Sequence, residues 1–161
     1  MELRIQSNSE ATATDFAEFF KEKLNEQAEL HVALSGGSTP QLLFDRMASK
    51  ADAYSWEKLH LYWGDERCVP PTDKESNYRM TDEHLLSKVP IPAENIHRII
   101  GENEPKTEAA RYSKLLENTL SKKNQLPVFD IVMLGMGTDG HTASIFPHEA
   151  HLLKADKICE V

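Results

Sequence analysis

Apolar positions follow two alternating rhythms along the chain. Phe16, Phe19, Phe20 and Leu24 recur at helical spacing after Ser7 and Ser9. Either serine suits an N-cap, and the spacing predicts a core-facing helix to about Ala28. Short β-rich runs then take over at residues 30–34, 59–63, 96–100 and 129–134, each predicting a strand. Leu3-Arg4-Ile5 is a further short strand candidate, and residues 158–161 read as a strand just beginning. Between these runs, residues 41–47, 78–86 and 105 to about 123 predict helices. In the last of these, Tyr112, Leu115, Leu116 and Leu120 form a core stripe.

Strands alternating with helices predict an α/β fold, a Rossmann-like parallel sheet with helices on both faces. No repeat, low-complexity stretch or linker divides the 161 residues, which read as a single domain, 1–161. By the right-handed crossover rule, the loops that follow the strands should gather along one edge of the sheet, where open α/β folds bind ligands.

Three of those loops carry chemistry. The first is Ser35-Gly36-Gly37-Ser38-Thr39-Pro40, between a strand and a helix. Two glycines expose backbone N–H groups, Ser38 and Thr39 add hydroxyls, and Pro40 suits a first helical turn, so the pattern fits a phosphate cradle. It is not a Walker A loop, because no Gly-Lys-Ser/Thr follows. The competing reading is a plain tight turn with Ser or Thr as N-cap. The second loop is Gly64-Asp65-Glu66-Arg67-Cys68, where Arg67 offers a planar, permanently charged fork for a phosphate. A solvated turn with an Asp–Arg pair is the alternative. Arg79, on the following helix, is a further phosphate candidate.

The third loop, Gly135-Met136-Gly137-Thr138-Asp139-Gly140-His141-Thr142-Ala143-Ser144, follows the apolar run ending at Leu134. It presents an acid, an imidazole and hydroxyls within a few residues. Gly135, Gly137 and Gly140 also satisfy G-x-G-x-x-G, with Asp156 or Glu160 about twenty residues on. Against a dinucleotide, Asp139 would put a negative charge where a pyrophosphate lies, and Pro147 leaves little room for the helix that fingerprint needs. His148, Glu149 and His151, with His141, could form a metal set, but surface histidines account for them as well. Acid–base chemistry is the remaining reading: His141 accepts a proton from water and Asp139 orients the imidazole.

Charge and composition narrow the field. Net charge is −8, which argues against a nucleic-acid partner, because phosphate backbones need a basic face. Hydrophobic residues at 40% and charged residues at 27% describe an ordinary globular chain. No apolar run reaches membrane-spanning length and Met1-Glu2-Leu3-Arg4 lacks a signal-peptide pattern, so the expected site of action is the cytoplasm, with no membrane partner. Cys68 and Cys159 form no C-x-x-C motif and read as two reduced thiols.

On these three loops the sequence resembles the 6-phosphogluconolactonases of the glucosamine-6-phosphate isomerase/lactonase superfamily. The matching segments are Leu34 to Pro40, Trp63 to Pro70 and Gly135 to Pro147, together with Ser76-Asn77-Tyr78. The deaminase branch typically has Asp-Glu-Tyr where this chain has Asp65-Glu66-Arg67, and an Ile-Ala-Phe-Asn pattern after its Asp-Gly-His.

The resemblance implies hydrolysis of 6-phosphoglucono-δ-lactone to 6-phosphogluconate in the oxidative pentose phosphate pathway, with no cofactor and no metal. It assigns water activation to His141 supported by Asp139, and phosphate anchorage to Gly36, Gly37, Ser38, Thr39 and Arg67, with Arg79 as a further candidate. Asp65, Glu66, Gly137, Gly140 and Thr142 would complete the pocket. Members of the family also continue beyond the equivalent of Val161 with more sheet and helix, so the resemblance implies that the domain is incomplete at its C-terminus. A deaminase or sugar-phosphate isomerase, and a non-catalytic sugar-phosphate-binding module, are the alternatives. The second of these has no need of Asp139-Gly140-His141.

Overall fold

A computed structural model describes residues 2–161. Four short strands form a parallel sheet. β1 (Leu30–Leu34) pairs with β2 (Leu59–Trp63) along its whole length, from Leu30↔Leu59 to Leu34↔Trp63. β3 (Ile96–His97) joins the outer side of β2 and β6 (Ile131–Val132) the outer side of β1, so the order is β3-β2-β1-β6.

The helices cover both faces, as the alternation predicts. α1 (Ser9–Glu26), α2 (Ser38–Ala48) and α3 (Asn77–His84) lie on one face, and α4 (Pro105–Thr119) on the other. The strand pleat sorts the side chains. Leu30, Val32, Leu34, Leu59, Leu61 and Trp63 point into the larger cluster with Phe20, Leu24, Phe44 and Met47. Tyr62 points the other way, onto Tyr112, Leu116 and Leu120. Burying each large apolar side chain contributes about 1.5–3 kcal/mol. The twelve largest fully buried side chains all come from α1, α2, β1, β2 and Leu85, so those elements carry most of the apolar stability on which the loops are mounted.

Several expectations change at element boundaries. α1 is capped by Asn8, whose side chain accepts the Ala11 N–H at 2.9 Å, and not by Ser7 or Ser9. Leu3-Arg4-Ile5 is not a strand. Among the described residues none pairs with it as a strand, Leu3 and Ile5 are exposed, and Arg4 turns to Glu2. The strand expected at 96–100 keeps only two paired residues. That at 129–134 pairs at Ile131–Val132 and is extended by the Met133 N–H donating to the Ala33 carbonyl.

α4 ends at Thr119 because Leu120 turns into the core. A two-residue hairpin follows, β4 (Lys122–Lys123) and β5 (Leu126–Pro127), turning through Asn124 and Gln125 at positive φ. Residues 158–161 form no strand, and Ile158 and Cys159 lie against the Tyr62–Tyr112 cluster instead. Among the described residues, no helix is long and apolar enough to cross a membrane, and both cysteines are free thiols.

Candidate active site

The three loops meet at the carboxyl ends of β1, β2 and β6 and enclose a cleft of about 270 Å³. Its walls are Ser35 to Pro40 from the first loop, Asp65 and Arg67 from the second, and Gly135 to Gly137, His141, Ala143 and Ser144 from the third. Asn77 closes the base.

The first wall is a helix N-terminus without a cap. α2 begins at Ser38, its N-cap is Gly37, and no side chain satisfies its opening N–H groups. The competing reading, a plain turn with Ser or Thr as N-cap, is therefore not met. Gly37 has φ +111°, a backbone that only glycine adopts freely. The first-turn N–H groups of a helix have no intrahelical partner and carry the positive end of its dipole, so Ser38 and Thr39 bring donors to the cleft. Gly36 is held close to Asn77. A Cβ there would lie 2.0 Å from the Asn77 Oδ1, so no larger residue fits.

The second loop divides its charges. Arg67 reaches the cleft half-exposed, with Glu75 3.7 Å away as its ion-pair partner. Glu66 does not face the cleft. Its carboxylate accepts the N–H groups of Asn77 at 2.7 Å and Tyr78 at 2.8 Å, and the Ser76 hydroxyl at 3.1 Å. It caps α3, where the helix dipole favours an anion. Arg79 is also turned away: its Nε donates to Glu83 at 2.6 Å and its Nη1 to the Thr72 carbonyl at 2.9 Å. Both residues serve α3 and its approach, so the structure does not bring them to the pocket.

The third loop folds so that residues two apart can meet. The Gly137 N–H donates to the His141 carbonyl at 2.8 Å, and the Gly140 N–H to the Gly137 carbonyl at 3.0 Å, with Gly140 at φ +89°. A Cβ on Gly137 would lie 2.3 Å from the His141 Cε1, so the imidazole closes over a position that only glycine leaves open. Asp139 Oδ1 then accepts the His141 Nδ1 at 2.6 Å. This bond holds the Asp139 carboxyl below its ordinary range. An ionised carboxylate only accepts, so Nδ1 carries the proton and the neutral imidazole keeps its lone pair on Nε2. The ring lies against Phe146 at a centroid distance of 4.8 Å. Gly140 and Thr142 line no part of the cleft. Gly140 supplies the bend, and Thr142 pairs with Ile145 through its backbone.

Two of the residues that sequence reasoning did not assign to the pocket, Asn77 and Ser144, link its loops. Asn77, buried at the start of α3, donates its amide to the Asp65 carbonyl at 3.0 Å and to Asp65 Oδ1 at 3.3 Å. The Ser144 hydroxyl donates to Asp65 Oδ2. Both stood in the matched segments, but nothing local to either names Asp65 as its partner.

The other readings of the third loop do not find their geometry. Gly135 to Gly140 opens no α-helix, and the chain passes into a reverse turn and then a 3-10 stretch at Pro147–Lys154, so the dinucleotide fingerprint lacks its helix. His148 and His151 are 75% and 72% exposed and each faces Glu149. Among the described residues, no three His, Cys, Asp or Glu side chains are grouped to hold a metal.

Known proteins share this sequence pattern and fold. The family model for glucosamine-6-phosphate isomerases/6-phosphogluconolactonase matches residues 5–161. A 6-phosphogluconolactonase of Treponema pallidum is 42% identical over 162 residues, covering all of this chain and 67% of its own. One of Haemophilus influenzae is 52% identical over 124 residues, covering 76% of this chain and 52% of its own. The crystal structure of a Thermotoga maritima 6-phosphogluconolactonase superimposes with a TM-score of 0.80 at 28% identity, covering 97% of this chain and 67% of that one. A monomeric glucosamine-6-phosphate deaminase shares the fold, with a TM-score of 0.77 at 17% identity. The chain thus spans from about half to two thirds of the length of these relatives.

Proposed function

The chain belongs to the glucosamine-6-phosphate isomerase/6-phosphogluconolactonase family, and from that premise we propose that it hydrolyses 6-phosphoglucono-δ-lactone to 6-phosphogluconate. The observation that carries the reading is His141, its imidazole held from behind by Asp139, standing in one cleft with Arg67 and the uncapped N-terminus of α2. A lactone is an activated ester, so a held substrate, a water and a positioned base suffice.

The sugar phosphate enters with its phosphate on the N–H groups of the first loop and on the Arg67 guanidinium. His141 Nε2 takes a proton from water as the oxygen attacks the lactone carbonyl. Asp139 holds the imidazole in the tautomer that leaves Nε2 free, and stabilises the imidazolium that forms. The tetrahedral adduct then collapses, the ring C–O bond breaks, and the imidazolium returns its proton to the departing ring oxygen. The product leaves with a carboxylic acid at C1 and a hydroxyl at C5; the acid gives its proton to solvent and becomes a carboxylate, and the imidazole is neutral again.

The test is acid release from the lactone, corrected for spontaneous opening, by the intact protein and its His141→Ala variant. General-base catalysis contributes about 10²–10⁴-fold, and kcat should fall by that order. A variant with undiminished kcat sinks the proposed base. Ammonia release from glucosamine 6-phosphate without lactone hydrolysis would move the chain to the deaminase branch.

A further inference from the structure

We infer that Ser144 is a positioning residue: its hydroxyl, bonded to Asp65, fixes the loop that carries His141 against the loops that carry the phosphate donors. The kinetic part of this inference rests on the lactonase reading, and its structural part does not.

The backbone around Ser144 is costly. Ala143 and Ser144 stand at φ +46° and +63°, two consecutive left-handed residues that each bear a Cβ. They form the corner of a reverse turn, closed by the Ile145 N–H donating to the Thr142 carbonyl at 2.7 Å and the Thr142 N–H to the Ile145 carbonyl at 3.3 Å. Glycine would take either corner position without strain. Strained residues persist where the surroundings over-determine them, and they cluster at ligand sites. Here one feature of the surroundings is visible: the turn aims the Ser144 hydroxyl at Asp65 Oδ2, 79 residues away in sequence.

Asp65 is the hub of this arrangement. Its second oxygen and its carbonyl accept the Asn77 amide. Asn77 is buried, lies against Gly36, and has its own N–H held by Glu66. One line of contacts therefore runs from the His141 loop through Ser144, Asp65 and Asn77 to the glycine loop. His141 is joined to Asp139 inside its own loop, and that pair sets the tautomer but not the loop's place in the cleft. Within the described hydrogen bonds, Ser144 is the side chain that ties residues 135–146 to the second loop.

The experiment compares Ser144→Ala and Ser144→Gly in the intact protein. Glycine suits φ +63° and preserves the turn, so both variants lose the hydroxyl but only alanine keeps the strain. Both should lower kcat by about tenfold or more with KM little changed, as for a base displaced from its reacting atom. The Asp65→Ala/Ser144→Ala double variant should be no slower than Asp65→Ala alone, since the two residues act through one contact.

Amide hydrogen exchange supplies a readout independent of activity. The N–H groups of Gly137 and Ile145 should exchange at least about tenfold faster in Ser144→Ala, while that of Val32 in β1 is unchanged. Full kcat in Ser144→Ala, or losses that multiply in the double variant, overturns the inference. A wild type that does not hydrolyse the lactone ends the proposed function but not this test: unchanged protection of Gly137 and Ile145 overturns the positioning role, and lost protection supports it.

Discussion

Acidification from about pH 7 to about pH 5 should weaken this fold through His97 and His60, two of three histidines stacked on adjacent strands. His31, His60 and His97 stand on one face of β1, β2 and β3, with ring centroids 4.8 Å and 5.6 Å apart. Tyr62 stacks on His97 at 4.4 Å and meets Phe129 edge-on. His60 Nδ1 and His97 Nε2 are 3.3 Å apart, so one must donate to the other, and charging both rings would place like charges in contact. The nearest anion is Glu29, 3.5 Å from the His31 Nε2 and not beside His97. Burial, reinforced by His60 and His31, brings the His97 pKa down to about 4.

The sign follows from proton linkage. The unfolded chain binds a proton at His97 near pH 6.5 and the folded chain only near 4, so stability is full above the first value and falls between the two. For one site the loss by about pH 5 is ~2 kcal/mol at most. His97 is only half-buried, and solvent screening reduces this to about 1 kcal/mol, or ~2–4 °C in Tm for a chain of this size. His60, also held down by burial and by His31, adds to the loss with the same sign. Carboxylates act lower: the Arg98 hydrogen bond holds Glu102 at about 2, so its contribution fades only below the histidine window.

Denaturant unfolding of wild type and His97→Gln at several pH values between these limits is the assay. The wild type should lose stability as pH falls, and the variant should lose less. Equal slopes, or a His97 imidazole that titrates near 6.5 by NMR, refute the reasoning.

Two further outcomes test the packing behind the cleft. Gly36→Ala would put a Cβ 2.0 Å from an Asn77 oxygen whose amide is tied to Asp65, so neither side can yield; affinity for the sugar phosphate should drop by about tenfold or more, read as a raised KM. Unchanged KM would mean that the first loop does not seat the phosphate. Tyr112→Phe removes the buried hydroxyl that accepts the Trp63 N–H at 2.9 Å and donates at 3.1 Å to the Trp63 carbonyl. Leaving these β2 groups unpaired should cost ~1–3 kcal/mol in denaturant unfolding, and a variant as stable as wild type would show that other partners satisfy them.

What could be read from the sequence followed the range of the interactions. Leu30–Leu34 and Leu59–Trp63 were legible because they form the fully paired centre of the sheet, where every residue is apolar or stacked. The strands at 96–100 and 129–134 were overestimated, since an apolar run does not reveal how many of its residues find a neighbour. The loop that carries His141 was legible for a local reason: Gly137 and Gly140 let Asp139 and His141 meet across two residues. Glu66 and Arg79 were misplaced for the opposite reason. A charge at a strand end reads as a ligand group, and only the fold shows that α3 begins within reach of Glu66. Asn77 and Ser144 were beyond sequence reasoning, because each is defined by Asp65, 12 and 79 residues away.

Those misplaced and unforeseen residues resolve the problem that net charge −8 poses for a chain proposed to bind a phosphate. Three carboxylates stand on or beside the cleft-forming loops, and each is committed. Glu66 is satisfied by the opening N–H groups of α3, Asp65 by Ser144 and Asn77, and Asp139 by His141. The positive groups are held far less tightly. Arg67 meets Glu75 only at 3.7 Å and half-exposed, a distance and setting in which an ion pair contributes about 0–1 kcal/mol. The first turn of α2 has no side-chain cap at all. An entering anion therefore displaces little and meets donors already oriented, while the acids that would repel it are occupied by hydrogen bonds that also hold the three loops together. The carboxylates keep their charge but face the protein's own donors, which leaves Arg67 and the first turn of α2 as the groups open to an anion in the cleft.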